Sequence, residues 1–217
     1  MQLITSIKHS TITVLLLLPL CYLWYLYPTL PNTIPMHYNL QGEVDRWGHK
    51  SEMWFAASIL SVVGIGSYFL VYYAAKIDPK KMIGNNPALT GKMAVLLATF
   101  MTALNLFIIH STTQTTLHTP QVLFVGVGLL FTTLGNFLSS IKPNYFIGVR
   151  TPWTLENNDV WRRTHRFTAR LWFAGGLLAS LVTLILPTSV ANTAFISIMF
   201  LLVVIPIAYS YIIFPKA

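Results

Sequence analysis

The stretch from Asn144 to Gly176, NYFIGVRTPWTLENNDVWRRTHRFTARLWFAGG, decides how the chain is organised. Counted with Lys142, it holds six of the fourteen Lys and Arg residues, and the sequence around it is apolar. Gly148, set between apolar residues ahead of Arg150, predicts a tight turn that uses the freedom of glycine in φ. Thr151-Pro152 predicts an N-cap followed by proline at the first helical position, opening a short helix through about Leu155. Asn157-Asn158-Asp159 interrupts that helix. Asn158 is placed to cap a second one, which starts near Asp159 and runs on into the apolar segment.

On the second helix, at ~100° per residue, Arg162, Arg163, Arg166 and Arg170 fall within an arc of roughly 100°. Trp161, His165, Thr168 and Trp172 gather on a different face. Two roles are open for this pattern. The guanidinium groups can meet lipid phosphate while the indoles sit at the membrane boundary. The same basic face can also be a docking platform for a cytosolic partner.

Composition sets the class. Of the 217 residues, 54% are hydrophobic and 9% charged, against ~25% charged in soluble proteins, so a water-soluble fold could not cover its surface. The expected fold is all-α, a polytopic membrane protein. Six segments are long enough to cross ~30 Å of hydrocarbon: about Thr11 to Tyr27, Met53 to Ala75, Met93 to Ile109, Val122 to Leu138, Ala169 to Leu186 and Val190 to Phe214. The termini and the second and fourth loops carry twelve of the fourteen Lys and Arg, whereas the outward segments carry only Arg46 and Lys50. The positive-inside rule therefore places both termini and the Asn144 stretch in the cytoplasm, so the +8 net charge reflects topology and does not imply nucleic-acid binding. Lys8 precedes an apolar run as in a signal peptide, but no small-residue cleavage site follows and Leu20 ahead of Cys21 is too bulky for a lipoprotein site; a retained anchor is expected. Pro19 and Pro206 are expected to bend the first and last segments, and Pro187 to close the fifth.

The first outward loop, Pro28 to Glu52, is the largest extracytoplasmic piece and the surface best placed to meet an extracellular agent. Its prolines keep its start extended, Asn39 to Gly42 predicts a turn, and Tyr38 and Trp47 are expected at the interface. Glu43, His37, Asp45 and His49 could in principle ligate a metal, but the two histidines are twelve residues apart without helical pairing, and no metal site or cofactor is assigned. The second loop, Lys76 to Lys92, has turns at Asp78-Pro79 and Gly84-Asn85-Asn86-Pro87, and its lysines (Lys81 among them) are assigned to topology and lipid contact. His110 and His118 flank the next outward turn without a carboxylate. In the third and fourth segments Asn105 and Asn136 are the strongly polar residues expected at depth, where each should hydrogen-bond a neighbouring helix. Gly64, Gly66 and Ser67, then Gly126, Gly128 and Gly135, and above all Gly175, Gly176, Ala179 and Ser180, predict close helix approach. The spans hold no carboxylate or lysine for a proton relay, and no phosphate loop, zinc-protease motif or serine elbow is present. Glu156, Asp159 and His165 are the cytoplasmic acid–base candidates, and the two carboxylates straddle the predicted helix break. An enzyme is not expected.

The run N-x-x-x-G-x-R-T-P-W-T-L, then V-W-x-x-T-H-R and G-G, resembles the signature of the SdpI family of bacterial membrane proteins. Upstream, IPMHYNLQGEVDRWGHKS (Ile34 to Ser51) resembles the P-x-H-x-N-x-x-G-x-x-D motif of an uncharacterised domain that often precedes it. Ala169 departs from the pattern where glycine is common, and its small size preserves close packing. The resemblance divides the chain into an N-terminal membrane region, 1–110, with its loop at 28–52, and an SdpI-like region, 111–217, with its signature loop at 139–170. It implies an immunity factor of the bacterial inner membrane that protects the cell from a secreted membrane-active peptide toxin, and a receptor that holds a cytosolic repressor at the membrane. Membrane lipids are the further expected partner. Carried over by motif, the toxin-facing residues are Pro35, His37, Asn39, Gly42 and Asp45. The repressor-facing residues are Asn144, Gly148, Arg150, Thr151, Pro152, Trp161, Thr164 and His165. The alternative is a small-molecule or lipid transporter with a polar cavity around Thr102, Asn105 and Asn136.

Overall fold

A computed structural model describes residues 2–39, 43–80, 87–113 and 119–215. Gly42, Lys81, Gly84 to Asn86 and His118 lie outside the described residues. In chain order the elements are α1 (Gln2–Leu26), β1 (Thr33–Tyr38), β2 (Val44–His49), α2 (Glu52–Ile77), α3 (Pro87–Ser111), α4 (Thr119–Leu138), α5 (Pro152–Glu156), α6 (Asn158–Ile185) and α7 (Thr188–Ile212).

Six of these helices are long and apolar enough to cross a membrane. The 20 residues of α4 rise about 30 Å and the 28 of α6 about 42 Å, so each spans the hydrocarbon core. Helices are the form such sequences must take, because lipid offers no partner to an open backbone N–H or C=O. Their outer faces are unsuited to water: Phe55, Val62, Leu184, Ile185 and Ile212 stand among many exposed large apolar residues. Pro19 and Pro206 lie inside α1 and α7, which continue through them. Pro187 caps the start of α7 just after α6 ends.

The chain divides into two compact units, the boundaries falling within α2, α3 and the first turn of α4: Met1–Phe69 with Ala94–Pro120, and Leu70–Met93 with Gln121–Ala217. In the first unit Leu23, Leu30, Ile34, Met53, Ala57 and Ile109 form the core. Ile34 is fully buried there, so the hairpin β1–β2 is packed against helix ends rather than free. Lys50 fastens the same open end of the hairpin, donating to the Leu30 carbonyl at 3.1 Å and lying 4.9 Å from the Tyr27 ring centroid. Asn105 donates from α3 to the Ala57 carbonyl (3.0 Å) and the Ser61 hydroxyl (3.2 Å) of α2, the interhelical role expected of it. Thr102 turns its hydroxyl back onto the Ala98 carbonyl. Gly64 lets the Leu16 and Met101 side chains close in, since a Cβ there would stand 2.6 Å from Leu16 Cδ2.

In the second unit α4 and α6 meet backbone to backbone. A Cβ added at Gly135 would stand 2.7 Å from the Phe173 nitrogen and 2.8 Å from the Ala169 carbonyl oxygen. One added at Gly176 would stand 2.5 Å from the Gly128 carbonyl oxygen. The small residues are seven apart on both helices, Gly128 and Gly135 facing Gly176 and Ala169, so one seam runs two turns long. On its other side α6 packs on α7: Trp172 Nε1–H donates to the Leu202 carbonyl at 2.8 Å, and Phe167 stacks on Tyr209 with ring centroids 4.4 Å apart. Asn136 corrects the expectation of a buried asparagine. It is exposed near the end of α4, beside an open cleft.

Candidate functional site

The signature stretch folds as a hydrogen-bonded knot between α4 and α6. Asn144 is fully buried and engages all of its amide capacity locally. Its Nδ2 donates to the Lys142 and Ile147 carbonyls at 2.9 and 3.0 Å, and its Oδ1 accepts the N–H groups of Phe146 and Ile147, both at 2.7 Å. The chain then turns at Gly148, whose φ is positive (+109°), as the sequence predicts. Space demands glycine there as well, because a Cβ would overlap Nε2 of His165.

His165 receives the turn. Its Nε2 accepts the Val149 N–H at 3.1 Å, and its Nδ1 lies 2.9 Å from the Trp161 carbonyl, which can only accept. These two bonds assign the neutral Nδ1–H tautomer. Trp161 stacks on the imidazole with centroids 4.0 Å apart and donates its Nε1–H to the Ile141 carbonyl at 2.8 Å. At 1% exposure Trp161 is core, which corrects the expectation that its indole sits at the membrane boundary. A lipid-facing indole leaves its N–H to the interface, whereas this one is spent on the loop that precedes it.

The short helix α5 starts as expected. Thr151 and Thr154 form a capping box: the Thr151 hydroxyl accepts the Thr154 N–H at 3.3 Å, and the Thr154 hydroxyl receives the Thr151 N–H at 2.9 Å. Pro152 occupies the first turn, where no N–H is missed. The Thr151 hydroxyl also lies 3.0 Å from that of Ser210, tying the knot to α7. The cap of α6 is Asn157, not Asn158: its Oδ1 accepts the N–H groups of Asp159 (2.9 Å) and Val160 (3.1 Å). The single-residue break places Asn157, not its neighbour, in extended backbone. Asp159 favours the positive end of the helix and pairs with Arg162 at 2.5 Å and Arg163 at 3.9 Å.

Of the eight motif residues here, Asn144, Thr151, Trp161, Thr164 and His165 are buried, and Gly148 is half-buried under the histidine. Arg150 and Pro152 are exposed. The Arg150 guanidinium donates from Nη1 to the Tyr145 carbonyl at 2.7 Å, which holds it in place at the surface. Sequence reasoning passed over Asp78, which it placed only in a turn. Asp78 is buried, its Oδ1 accepts the Tyr145 N–H at 3.2 Å, and among the described residues its Oδ2 has no hydrogen-bond partner. Its neighbour Lys80, assigned to lipid contact, instead donates to the Leu155 carbonyl and lies over the Tyr145 ring. The one available signal was a charge of each sign within three residues of a helix end.

The outward motif forms the hairpin β1–β2, antiparallel, with Pro35 opposite Trp47 and Tyr38 opposite Val44. His37 Nδ1 and Asp45 Oδ1 are 2.6 Å apart across it. Asn39 bridges to Glu43 through the Glu43 N–H (2.9 Å) and carboxylate (3.1 Å). Four of the five motif residues, Pro35, His37, Asn39 and Asp45, are thus brought together on one small sheet. His49 turns away to Ser51. Among the described residues no three His, Cys, Asp or Glu side chains cluster as a metal would require.

Six lipid-length helices with apolar outer faces define a multi-pass α-helical membrane protein. Comparison with known proteins finds likeness in both motif regions. Residues 140–210 match the SdpI/YfhL protein family, and residues 14–61 match a domain of unknown function, DUF1648. The chain is similar to the immunity protein SdpI of Bacillus subtilis (strain 168), 23% identical over 163 residues that cover 73% of this chain and 72% of that protein. No solved structure matches it.

Proposed function

We propose that this protein is an immunity protein of the bacterial cytoplasmic membrane, protecting the cell from a secreted membrane-active peptide. The observation that carries the reading is the similarity to an immunity protein along nearly three-quarters of the chain. The hairpin is the toxin-facing element in this reading. It offers exposed His37, Asp45 and Trp47 on a base anchored by Ile34. The finer step is signalling: the surface around Arg150 and Pro152 holds a cytosolic repressor when toxin is bound, the buried residues beneath it setting its shape. Loop charge supports the sidedness, with the basic knot inside and the hairpin outside. The transporter alternative draws no support from Asn105 and Thr102, whose donor groups are engaged with backbone in their own unit.

The test is survival of a sensitive bacterium expressing the protein, against an empty vector, across a panel of secreted membrane-active peptides. Protection by the wild type at matched membrane levels is expected. No protection against any peptide would remove the immunity reading and bring transport forward. Arg150→Ala is expected to keep protection and lose partner recruitment, and loss of both would assign the knot to the protective mechanism itself.

A further inference from the structure

The four arginines of α6 are not equivalent. Arg162 and Arg163 face Asp159, whereas among the described residues Arg166 and Arg170 have no carboxylate partner. Those two line an open cleft of about 490 Å³, together with Asn136 and Ser139 from the end of α4. The floor is made by the contact of Gly135 with Ala169, where the two backbones touch, and by Phe173. The size is that of a small-ligand site. Its polar rim is made of donors: two guanidinium groups one helical turn apart, an amide and a hydroxyl, with no acidic side chain in the lining.

What continues from the rim identifies the ligand. At ~100° per residue, Arg166, Arg170, Phe173, Leu177, Leu181 and Leu184 lie within an arc of about 80° on α6. The four apolar members are all exposed, Phe173 42%, Leu177 41%, Leu181 45% and Leu184 68%. From Arg170 to Leu181 the helix rises about 16 Å, the depth of one leaflet. A soluble phosphate would use the rim and leave the stripe bare; a molecule with an anionic head and a leaflet-long tail uses both.

We propose that this cleft is a binding site for an anionic phospholipid. The phosphodiester is held in a fork by Arg166 and Arg170 with Ser139 and Asn136 beside it, and an acyl chain lies along Phe173 to Leu184. Arginine suits the role, since its planar donors match phosphate oxygens in pairs. The lipid covers the α4–α6 seam at its edge, where the glycines leave no side chain to do so. This inference rests on the membrane-spanning class alone and stands apart from the immunity reading.

The experiment uses the full-length protein purified in a neutral detergent. It is titrated with phosphatidylglycerol, phosphatidylcholine and glycerol 3-phosphate, and adducts are read by native mass spectrometry. Phosphatidylglycerol is expected to bind in preference to phosphatidylcholine, with glycerol 3-phosphate failing to compete at equal concentration. Arg166→Gln/Arg170→Gln should weaken phosphatidylglycerol binding about thirtyfold, from the contribution typical of two basic residues at a lipid surface. Arg162→Gln/Arg163→Gln should change it less than about threefold, and Arg166→Lys/Arg170→Lys should recover part of the loss. Equal binding by the Arg166/Arg170 double glutamine variant, equal loss from the Arg162/Arg163 pair, or full competition by glycerol 3-phosphate would each overturn the proposal. If the double glutamine variant fails to insert, Ser139→Phe decides by filling the cleft without removing charge: loss of lipid supports the site, and retention overturns it.

Discussion

The knot at residues 141–165 and the hairpin at 33–49 are built on opposite plans, although each carries a motif of similar density. In the knot most motif side chains are buried and spend their hydrogen bonds on nearby backbone: Asn144 on the loop around it, Trp161 on Ile141, His165 on Val149. In the hairpin His37 and Asp45 are exposed and pair with each other across the two strands, and half-buried Asn39 pairs with Glu43. One motif specifies a shape and the other specifies a surface. A fixed spacing of residues therefore does not by itself say that those residues touch a partner. In the knot the exposed neighbours Arg150 and Pro152 are what a partner can reach.

That contrast can be broken by substitution, and the largest effect is expected at Gly148. Gly148→Ala puts a Cβ in the left-handed region and into the His165 ring, costing about 3 kcal/mol from strain and overpacking together. Unfolding by denaturing detergent should show the shift, and an unchanged midpoint would mean the turn is not held as described. Asn144→Ala should follow at about 2–3 kcal/mol, because it strips buried N–H and C=O groups of their partners at once. Trp161→Phe keeps the apolar ring but leaves the Ile141 carbonyl without its donor, for a loss of about 1–2 kcal/mol by the same assay. At the other end, His37→Ala/Asp45→Ala should move stability by less than about 1 kcal/mol, the pair being exposed. Peptide protection in the survival assay should nevertheless fall in that variant while the protein stays at its normal membrane level. A stable variant with full protection would take the hairpin out of the toxin-facing role.

Much of this architecture was legible in the sequence. The spans follow from apolar run length, and the turn at Gly148 and the start of α5 at Thr151-Pro152 follow from backbone chemistry that only a few residues satisfy. The small residues of α4 and α6 announced a close seam, which Gly135 and Gly176 form. What was not legible depended on partners distant in sequence. An indole near a membrane boundary faces lipid unless something takes its N–H, and Ile141, twenty residues earlier, does so. Asp78 looked like a turn residue because the N–H it binds, that of Tyr145, is 67 positions away. Asn136 looked buried because its run is apolar, but it lies at the end of α4 on an exposed face. The extended start of the outward loop was read from its prolines, yet its pairing into a hairpin was not, since β2 (VDRWGH) carries no alternating apolar pattern.

The proposal to test first is the sidedness that loop charge predicts, the hairpin outside the cell and the Arg150 surface in the cytoplasm. Single cysteines placed at Asp45 and Arg150, in a background with Cys21→Ser, test it by labelling with a membrane-impermeant maleimide. The account predicts that Asp45→Cys reacts in intact cells and that Arg150→Cys reacts only after permeabilisation. Labelling of Arg150→Cys in intact cells, with Asp45→Cys protected until the membrane is opened, would contradict it.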